Sequence, residues 1–274
     1  MSDDDFLPII LRNVSELRVR FISFLKIYGF FFILFIIFRV ADYNIFGHEI
    51  PLLKLDVTNN IGAQFLHILE LHILPSGTKL LILKPADGVA TDFLIILFLD
   101  LIITMPYLLY QVLQYIEPAL KKHERELVHS ILFPASALFF TGAFFGIYFV
   151  APELFRIFND FDIGLGAIES VGLMSFESFL ILYILLFGFS FEVPVFMYGL
   201  TRVGLVPAEY WRSHWRYAVV ISLVIGMIFS PGVTGFTMII IAIPMISLYF
   251  VGVYFSERWV RKTEEASKRV SEAL

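Results

Sequence analysis

The 274-residue sequence contains no cysteine and few charged residues, and both shortages limit what the protein can be. Without cysteine, the chain can form neither disulfides nor thiolate metal sites. Only 16% of the residues are charged and the formal net charge is -5, so no basic surface indicates nucleic-acid binding. The sequence has no HExxH or GxSxG motif and its six histidines are scattered. We therefore expect no enzyme activity, no metal and no cofactor.

Apolar residues, by contrast, are abundant. They make up 58% of the chain and give a mean hydropathy of +0.82, against roughly 45 to 50% apolar residues in a soluble domain. They are gathered into long runs of the kind that cross a bilayer as helices. The sequence therefore predicts one all-α integral membrane domain over residues 1–274, with six transmembrane helices. The six runs are 21–41, 93–116, 131–151, 178–200, 217–229 and 235–255.

The fifth run is the shortest, because Ser230, Pro231 and Gly232 interrupt the apolar pattern and leave only a tight turn before the sixth. The fifth and sixth runs are compatible with full spans, with short helices that do not span, or with a re-entrant pair.

Basic residues between the runs predict the orientation, since cytoplasmic connections carry the excess of lysine and arginine. Fifteen of the 20 lie in the N-terminal segment, the second and fourth connections and the tail. We expect both termini in the cytoplasm of a cell-membrane protein and a cytoplasmic tail over 257–274. Residues 42–92 should form a long extracytoplasmic loop with short helical pieces. The N-terminus, MSDDDF, lacks the basic start of a secretory signal.

Two acids fall inside apolar runs, where ionisable groups are costly and are functional candidates. Asp100 lies in the second run, and Glu192 lies in the fourth, two residues before a helix-kinking Pro194. One interpretation is a proton- or ion-coupled small-solute transporter that uses both acids, although the sequence shows no internal repeat. The other is a protonated carboxyl that hydrogen-bonds a neighbouring helix.

Two charged segments border the first two runs on the predicted cytoplasmic side. NVSELRVR covers 13–20 and EPALKKHERE covers 117–126. Helical spacing allows Glu16 to pair with Arg12 or Arg20, a surface interaction of only a few tenths of a kcal/mol. Composition alone does not distinguish such pairing from a binding site.

The same segments resemble the TatC family, the multispan component of the twin-arginine protein translocase. ELRVR at 16–20 resembles its N-terminal signature, and YQVLQYIEPALKKHERE at 110–126 resembles its second-span exit and first cytoplasmic loop. The similarity continues in FGFSFEVPV at 187–195 and AIPM at 242–245. Four matches in the same order cover nearly the whole chain.

The resemblance implies that Glu16 and Glu124 recognise the paired arginines of a signal peptide on a folded cargo protein. It further implies a glove-like, concave arrangement of helices, small single-span partner subunits of the TatA and TatB type, homo- and hetero-oligomers in membrane lipid, and transport driven by the proton-motive force. Glu192 matches the intramembrane acid of the family. The other residues that match the two cytoplasmic motifs are Tyr115 and Pro118 beside the binding acids, with Leu17, Arg18, Arg20, His123 and Arg125 in support.

The chain also departs from the family pattern. Asn13 replaces the usual histidine of the N-terminal signature, and Tyr115 stands where phenylalanine is common. The turn at 230–237 lacks the acid and amide of some members, the outer loop carries an insertion around 59–71, and Asp100 matches no family position.

Overall fold

The computed structural model describes residues 3–45, 48–116, 125–166, 170–230 and 235–273, and these are predominantly helical. The helices within these ranges are α1 (Asp3–Ile37), α2 (Ile61–Ile73), α3 (Asp87–Ile116), α4 (Arg125–Phe145), α5 (Ala151–Gly164), α6 (Leu173–Arg202), α7 (Ala208–Ser213), α8 (Trp215–Phe229) and α9 (Gly235–Ala273). Four short strands accompany them, β1 (Phe38–Ile45), β2 (His48–Leu55), β3 (Lys79–Leu81) and β4 (Ser170–Gly172).

Five helical segments of the described chain are long and apolar enough to cross a membrane, with mean hydropathies of 1.7 to 2.3. They are Ser15–Ile37, Asp87–Ile116, Ser130–Gly164, Leu173–Arg202 and Gly235–Glu272. The predicted helical membrane fold is thus confirmed. The fifth apolar run forms α8, whose 15 residues reach about 22 Å at 1.5 Å per residue. The sixth run is not a short helix, because α9 continues for 39 residues, through most of the predicted tail.

The third span is longer than the predicted run, because a π-helical turn, Gly146–Val150, joins α4 to α5 without a break. Pro152 lies in the first turn of α5, and its missing N–H relaxes the regular hydrogen-bond ladder at this point. The helical segment therefore runs on to Gly164.

By its internal contacts the chain forms two compact units, and the first comprises residues 1–121 and 169–181. In this unit α1 and α2 both pack against α3. A Cβ on Gly62 of α2 would collide with the Ile96 side chain of α3, so a glycine is what permits this close approach. β3 pairs with β4 in parallel.

An antiparallel hairpin of β1 and β2 follows α1 directly and was not predicted from the sequence. The first run, predicted to extend to residue 41, ends at Ile37, whose carbonyl accepts a hydrogen bond from the Asp56 amide at 2.9 Å. The Gln64 side chain ties α2 to the hairpin by accepting from Val40 N at 2.9 Å and donating to Val40 O at 2.8 Å. α2 does supply a helical piece in the predicted outer loop.

The second unit comprises residues 122–168 and 182–274, and its helices pack through small residues. A Cβ on Gly142 of α4 would contact the Phe187 carbonyl of α6, and one on Gly188 would lie 2.7 Å from the Phe139 ring. α8 and α9 pack in the same way, since a Cβ on Gly226 would lie 2.6 Å from the Met238 carbonyl. Small residues let membrane helices approach closely and gain dispersion contacts.

Candidate functional site

Glu16, the first predicted binding residue, lies on α1 and forms an ion pair with Arg20 one turn later. Arg20 donates to Glu16 Oε1 from Nη2 at 2.6 Å and from Nε at 3.2 Å. The pairing with Arg20 that helical spacing allowed is therefore present. Both bonds go to the same oxygen, and Glu16 keeps 34% of its side-chain surface exposed. Oε2 accepts no hydrogen bond from the described side chains, which on α1 begin at Ser15.

The described neighbours of Glu16 along α1 are exposed, apart from Arg20. Leu17 and Arg18 are exposed, as is Val19. α1 thus presents a half-exposed carboxylate flanked by apolar and basic side chains at the start of its apolar segment.

The second predicted cluster is only partly described. Tyr115 is half-buried in the last turn of α3, which ends at Ile116. Pro118, His123 and Glu124 lie outside the described residues, and of Arg125 only its place at the start of α4 is described. The pairing of Glu16 with Glu124 therefore stays a prediction.

The intramembrane acid Glu192 is 2% exposed on α6, and its Oε1 has no hydrogen-bond partner among the described residues. α9 packs tightly beside this point of α6, because a Cβ on Gly252 would lie 3.1 Å from the Pro194 Cα. Oε1 thus has an unfilled hydrogen-bonding capacity, and an unpaired buried acceptor costs about 1–3 kcal/mol.

Asp100 is fully buried on α3, and neither carboxylate oxygen has a hydrogen-bond partner within the described ranges. Tyr28 of α1 lies close enough to interact with it electrostatically, but its hydroxyl donates to the Leu97 carbonyl at 2.7 Å. The described residues therefore do not provide the hydrogen bond to a neighbouring helix that the structural interpretation of this acid requires.

A third buried acid, Glu177 in the second turn of α6, was missed by the sequence reasoning. It is fully buried, and neither oxygen makes a hydrogen bond of regular geometry in the described chain, although the Thr91 side chain lies close by. Its polar neighbours are Thr91 and Asp92 of α3. Asp92 accepts from Asn60 Nδ2 at 2.7 Å through Oδ2, while its Oδ1 has no described partner. The first unit thus contains two neighbouring acids near the start of α3, each with at least one oxygen that lacks a described partner.

The described residues contain no group of three or more histidine, cysteine, aspartate or glutamate side chains that could hold a metal ion.

Comparison with known proteins places these motifs in a family. The family model described as Sec-independent protein translocase protein (TatC) matches residues 13–244. A Sec-independent protein translocase protein TatC from Cenarchaeum symbiosum is 28% identical over 93% of this chain and 97% of its own length. The TatC protein of Escherichia coli strain K12 is 35% identical over 69% of this chain and 72% of its own length.

The fold matches solved structures of the same family. A crystal structure of a twin-arginine translocase receptor, TatC, superposes with a TM-score of 0.69 at 27% identity. The match covers 90% of this chain and 97% of that one. A second TatC crystal structure, obtained in the detergent DDM, gives a TM-score of 0.70 at the same identity, over 89% of this chain and 99% of that one.

Proposed function

The chain belongs to the TatC family of Sec-independent protein translocase proteins, and from this premise we propose that Glu16 and Glu124 bind two consecutive arginines of a signal peptide. The observation that supports the proposal most directly is the half-exposed Glu16 carboxylate with one oxygen outside its ion pair. The small-solute transporter alternative has no support from the relatives, which are translocase proteins.

Arginine suits such a site better than lysine. Its planar guanidinium can donate two parallel hydrogen bonds to one carboxylate, whereas the lysine ammonium acts as a point charge. Glu16 Oε2 can accept one of these bonds while Arg20 stays on Oε1. Two separately placed acids, each taking one guanidinium, would select for a pair of arginines rather than for positive charge in general.

The position of Glu16 along α1 fits a signal peptide whose apolar segment enters the bilayer. Glu16 lies one residue after the start of the apolar segment Ser15–Ile37. A peptide that inserts its own apolar segment beside this helix would present its preceding basic region at the same depth. We place this end of α1, the loop after α3 and both termini in the cytoplasm, as the basic residues predict.

We further propose that the protein assembles with small single-span subunits and further copies of itself, and that Glu192 is the polar anchor for a partner helix in the membrane. The unpaired Oε1 of Glu192 could accept a hydrogen bond from such a helix if α6 and α9 part slightly. Transport driven by the proton-motive force completes the proposal. Glu192→Ala and Glu192→Gln should then impair transport while leaving signal binding largely intact.

Direct binding of peptides to the full-length protein tests the signal-peptide site. We would measure the affinities of an Arg-Arg signal peptide and of its Lys-Lys counterpart for the native protein and for Glu16→Gln, Glu124→Gln and the double variant. Removing one carboxylate should cost about 2 to 5 kcal/mol of binding if the site is largely desolvated, and about 0 to 1 kcal/mol if it stays solvated.

Glu126→Gln is the matched control, because it removes an acid two residues from Glu124. Photocrosslinks from positions beside Glu16 and Glu124 to a twin-arginine precursor would locate the peptide. Equal affinity of the native protein for both peptides, or unchanged Arg-Arg binding by the double variant, would refute the assignment.

A further inference from the structure

A cavity of about 470 Å³ opens in the second unit, where α7 and the start of α8 lie against α9. Such a volume is large enough for a small ligand or a lipid head group. The cavity is lined by Arg212, Trp215, Phe250, Val253, Tyr254 and Glu257. None of these lining residues belongs to the signal-binding motifs, and the cavity has no role in the function proposed above.

Arginine outnumbers acid around this cavity. Glu257, the acid in the lining, forms two ion pairs. One oxygen lies 3.1 Å from Arg212 and the other lies 3.7 Å from Arg261. Two further arginines lie over aromatic rings of the lining, Arg216 at 5.8 Å from the Trp215 ring centroid and Arg258 at 6.0 Å from that of Tyr254. Four guanidinium groups thus lie on the one carboxylate or on rings of the lining, and this excess of positive charge beside the cavity favours an anion.

These arginines are available to a ligand. Arg212 exposes 75% of its side chain and Arg261 exposes 65%, whereas Glu257 exposes only 23%. The acid therefore lies beneath its partners, whose remaining N–H donors are free to turn outward. Guanidinium donors in this arrangement match the geometry of a phosphate group, which can accept two parallel hydrogen bonds from each.

The remaining lining is aromatic and continues into an apolar surface. The Trp215 and Phe250 ring centroids are 6.2 Å apart, and both side chains, like Tyr254, are substantially exposed. Exposed apolar side chains then follow along the same face of α9, with Ile243 seven and Ile239 eleven residues before Phe250. Aromatic residues and arginine at the end of an apolar helix are typical of the depth at which lipid head groups lie.

We propose that this cavity binds the phosphate head group of an anionic phospholipid, with the acyl chains against the exposed apolar face of α9. A soluble phosphate compound would gain nothing from the aromatic lining or from the apolar surface beyond it. Basic pockets between membrane helices provide both the charge and the apolar contact that an anionic lipid needs.

The association of spin-labelled lipids with the full-length protein in phosphatidylcholine bilayers tests the proposal. The native protein should retain phosphatidylglycerol in preference to phosphatidylcholine. Arg212→Gln and Arg258→Gln should each lower that preference about fivefold, which corresponds to about 1 kcal/mol per arginine near the lipid surface. Arg156→Gln, which removes an exposed arginine of α5, should change nothing. If Arg212→Gln proves unstable, Arg258→Gln and Arg216→Gln carry the same test.

Glu257→Gln tests whether the cavity prefers a negatively or a positively charged group. Loss of the carboxylate releases Arg212 and Arg261 for the phosphate, so the preference for phosphatidylglycerol should rise several-fold, whereas Glu209→Gln on α7 should have little effect. A weaker preference in Glu257→Gln would indicate a site for a cationic group and would overturn the proposal. So would the absence of any head-group preference, or displacement of the lipid by soluble glycerol phosphate at millimolar concentration.

Discussion

Arg20 competes with any incoming arginine for the carboxylate of Glu16, and this competition can be measured. Arg20→Gln should tighten the binding of an Arg-Arg signal peptide by up to about fivefold, because a surface ion pair contributes about 0–1 kcal/mol and its loss frees Glu16. Arg18→Gln is the matched control, since it removes an equal charge two residues away without breaking the ion pair. Isothermal titration of the purified protein with the peptide measures both affinities.

The opposite result would be equally informative about Arg20. If Arg20→Gln weakens peptide binding more than Arg18→Gln does, then Arg20 orients the Glu16 carboxylate for the arginine of the peptide and does not compete with that arginine. The prediction of competition would then be wrong.

Glu177 allows a prediction about stability. Within the described chain its buried carboxyl makes no hydrogen bond of regular geometry, with Thr91 its nearest polar partner, and Oδ1 of the neighbouring Asp92 has no partner. Glu177→Gln removes a buried acid and introduces an amide N–H that can donate a hydrogen bond to Asp92. The protein should therefore become more stable by about 1–3 kcal/mol. Unfolding in detergent micelles measures this change against Glu153→Gln, an exposed substitution that should be neutral. A loss of stability in Glu177→Gln would mean that the carboxyl is bonded in solution.

Glu177 also shows where sequence reasoning about residues fails. The fourth apolar run was predicted to begin at residue 178, which put Glu177 outside the span, whereas α6 begins at Leu173. Hydrophobic periodicity locates a helix well but not its first turn. Asp100 and Glu192, well inside their runs, were recognised from the sequence and are buried as expected. The burial of a residue at the edge of a run depends on which helices cover it, and one sequence does not show this.

At the scale of elements, glycine in α4 permits close packing against α6. A Cβ at Gly142 would collide with the Phe187 carbonyl, and backbone cannot move aside as a flexible side chain can. Gly142→Ala should therefore destabilise the protein by about 1–3 kcal/mol. Gly29→Ala on α1 is the control, because no atom lies within 4 Å of its Cβ position, and it should be neutral or stabilising by up to about 1 kcal/mol. Equal effects of the two substitutions in micelle unfolding would contradict the packing.

Asp56 closes the base of the hairpin and gives it a pH dependence. The Asn59 amide, the Thr58 hydroxyl and Arg39 all stabilise its carboxylate and lower its pKa to about 2. This stabilisation is complete above the ordinary pKa of about 4 and is lost as the pH falls toward 2. Asp56→Ala should speed hydrogen exchange at the Thr58 and Asn59 amides at neutral pH. Asp42→Ala, an exposed change in β1, should not; equal exchange in both variants would argue against the role of Asp56.

The helices could be predicted from the sequence, whereas the hairpin could not. A long apolar run crosses a bilayer as a helix, because every backbone N–H and C=O must be paired within the segment. The helices of the second and fourth runs were predicted on that ground. The hairpin was missed because Phe38 and Val40 continue the apolar character of α1, and its register depends on Gln64 and Asp56, which lie farther along the chain.

At the scale of the whole molecule, the short helix α8 decides the topology. If α8 and α9 form a pair that enters and leaves on one side, the arginines before α8 and after the apolar part of α9 share that side, as their basic character requires. If α8 stays at the surface, five spans remain and the two termini lie on opposite sides. The 15 residues of α8 reach about 22 Å, short of a hydrocarbon core of roughly 30 Å, so length alone leaves both arrangements possible.

The absence of native cysteine makes a direct test possible, because any single introduced cysteine is the sole thiol in the protein. We predict that Thr58→Cys, after the hairpin, reacts with a membrane-impermeant maleimide in intact cells, while Ser213→Cys in α7 and Ser271→Cys near the end of α9 react only after permeabilisation. Thr58 and Ser213 are exposed, so a failure to label reflects the side of the membrane rather than burial. The positive-inside distribution supports this outcome, with Ser213 between Arg212 and Arg216 and Ser271 just after Lys268 and Arg269. Labelling of Ser271→Cys but not Ser213→Cys in intact cells would mean that α8 does not cross and return with α9. It would place the C-terminus outside and refute the topology.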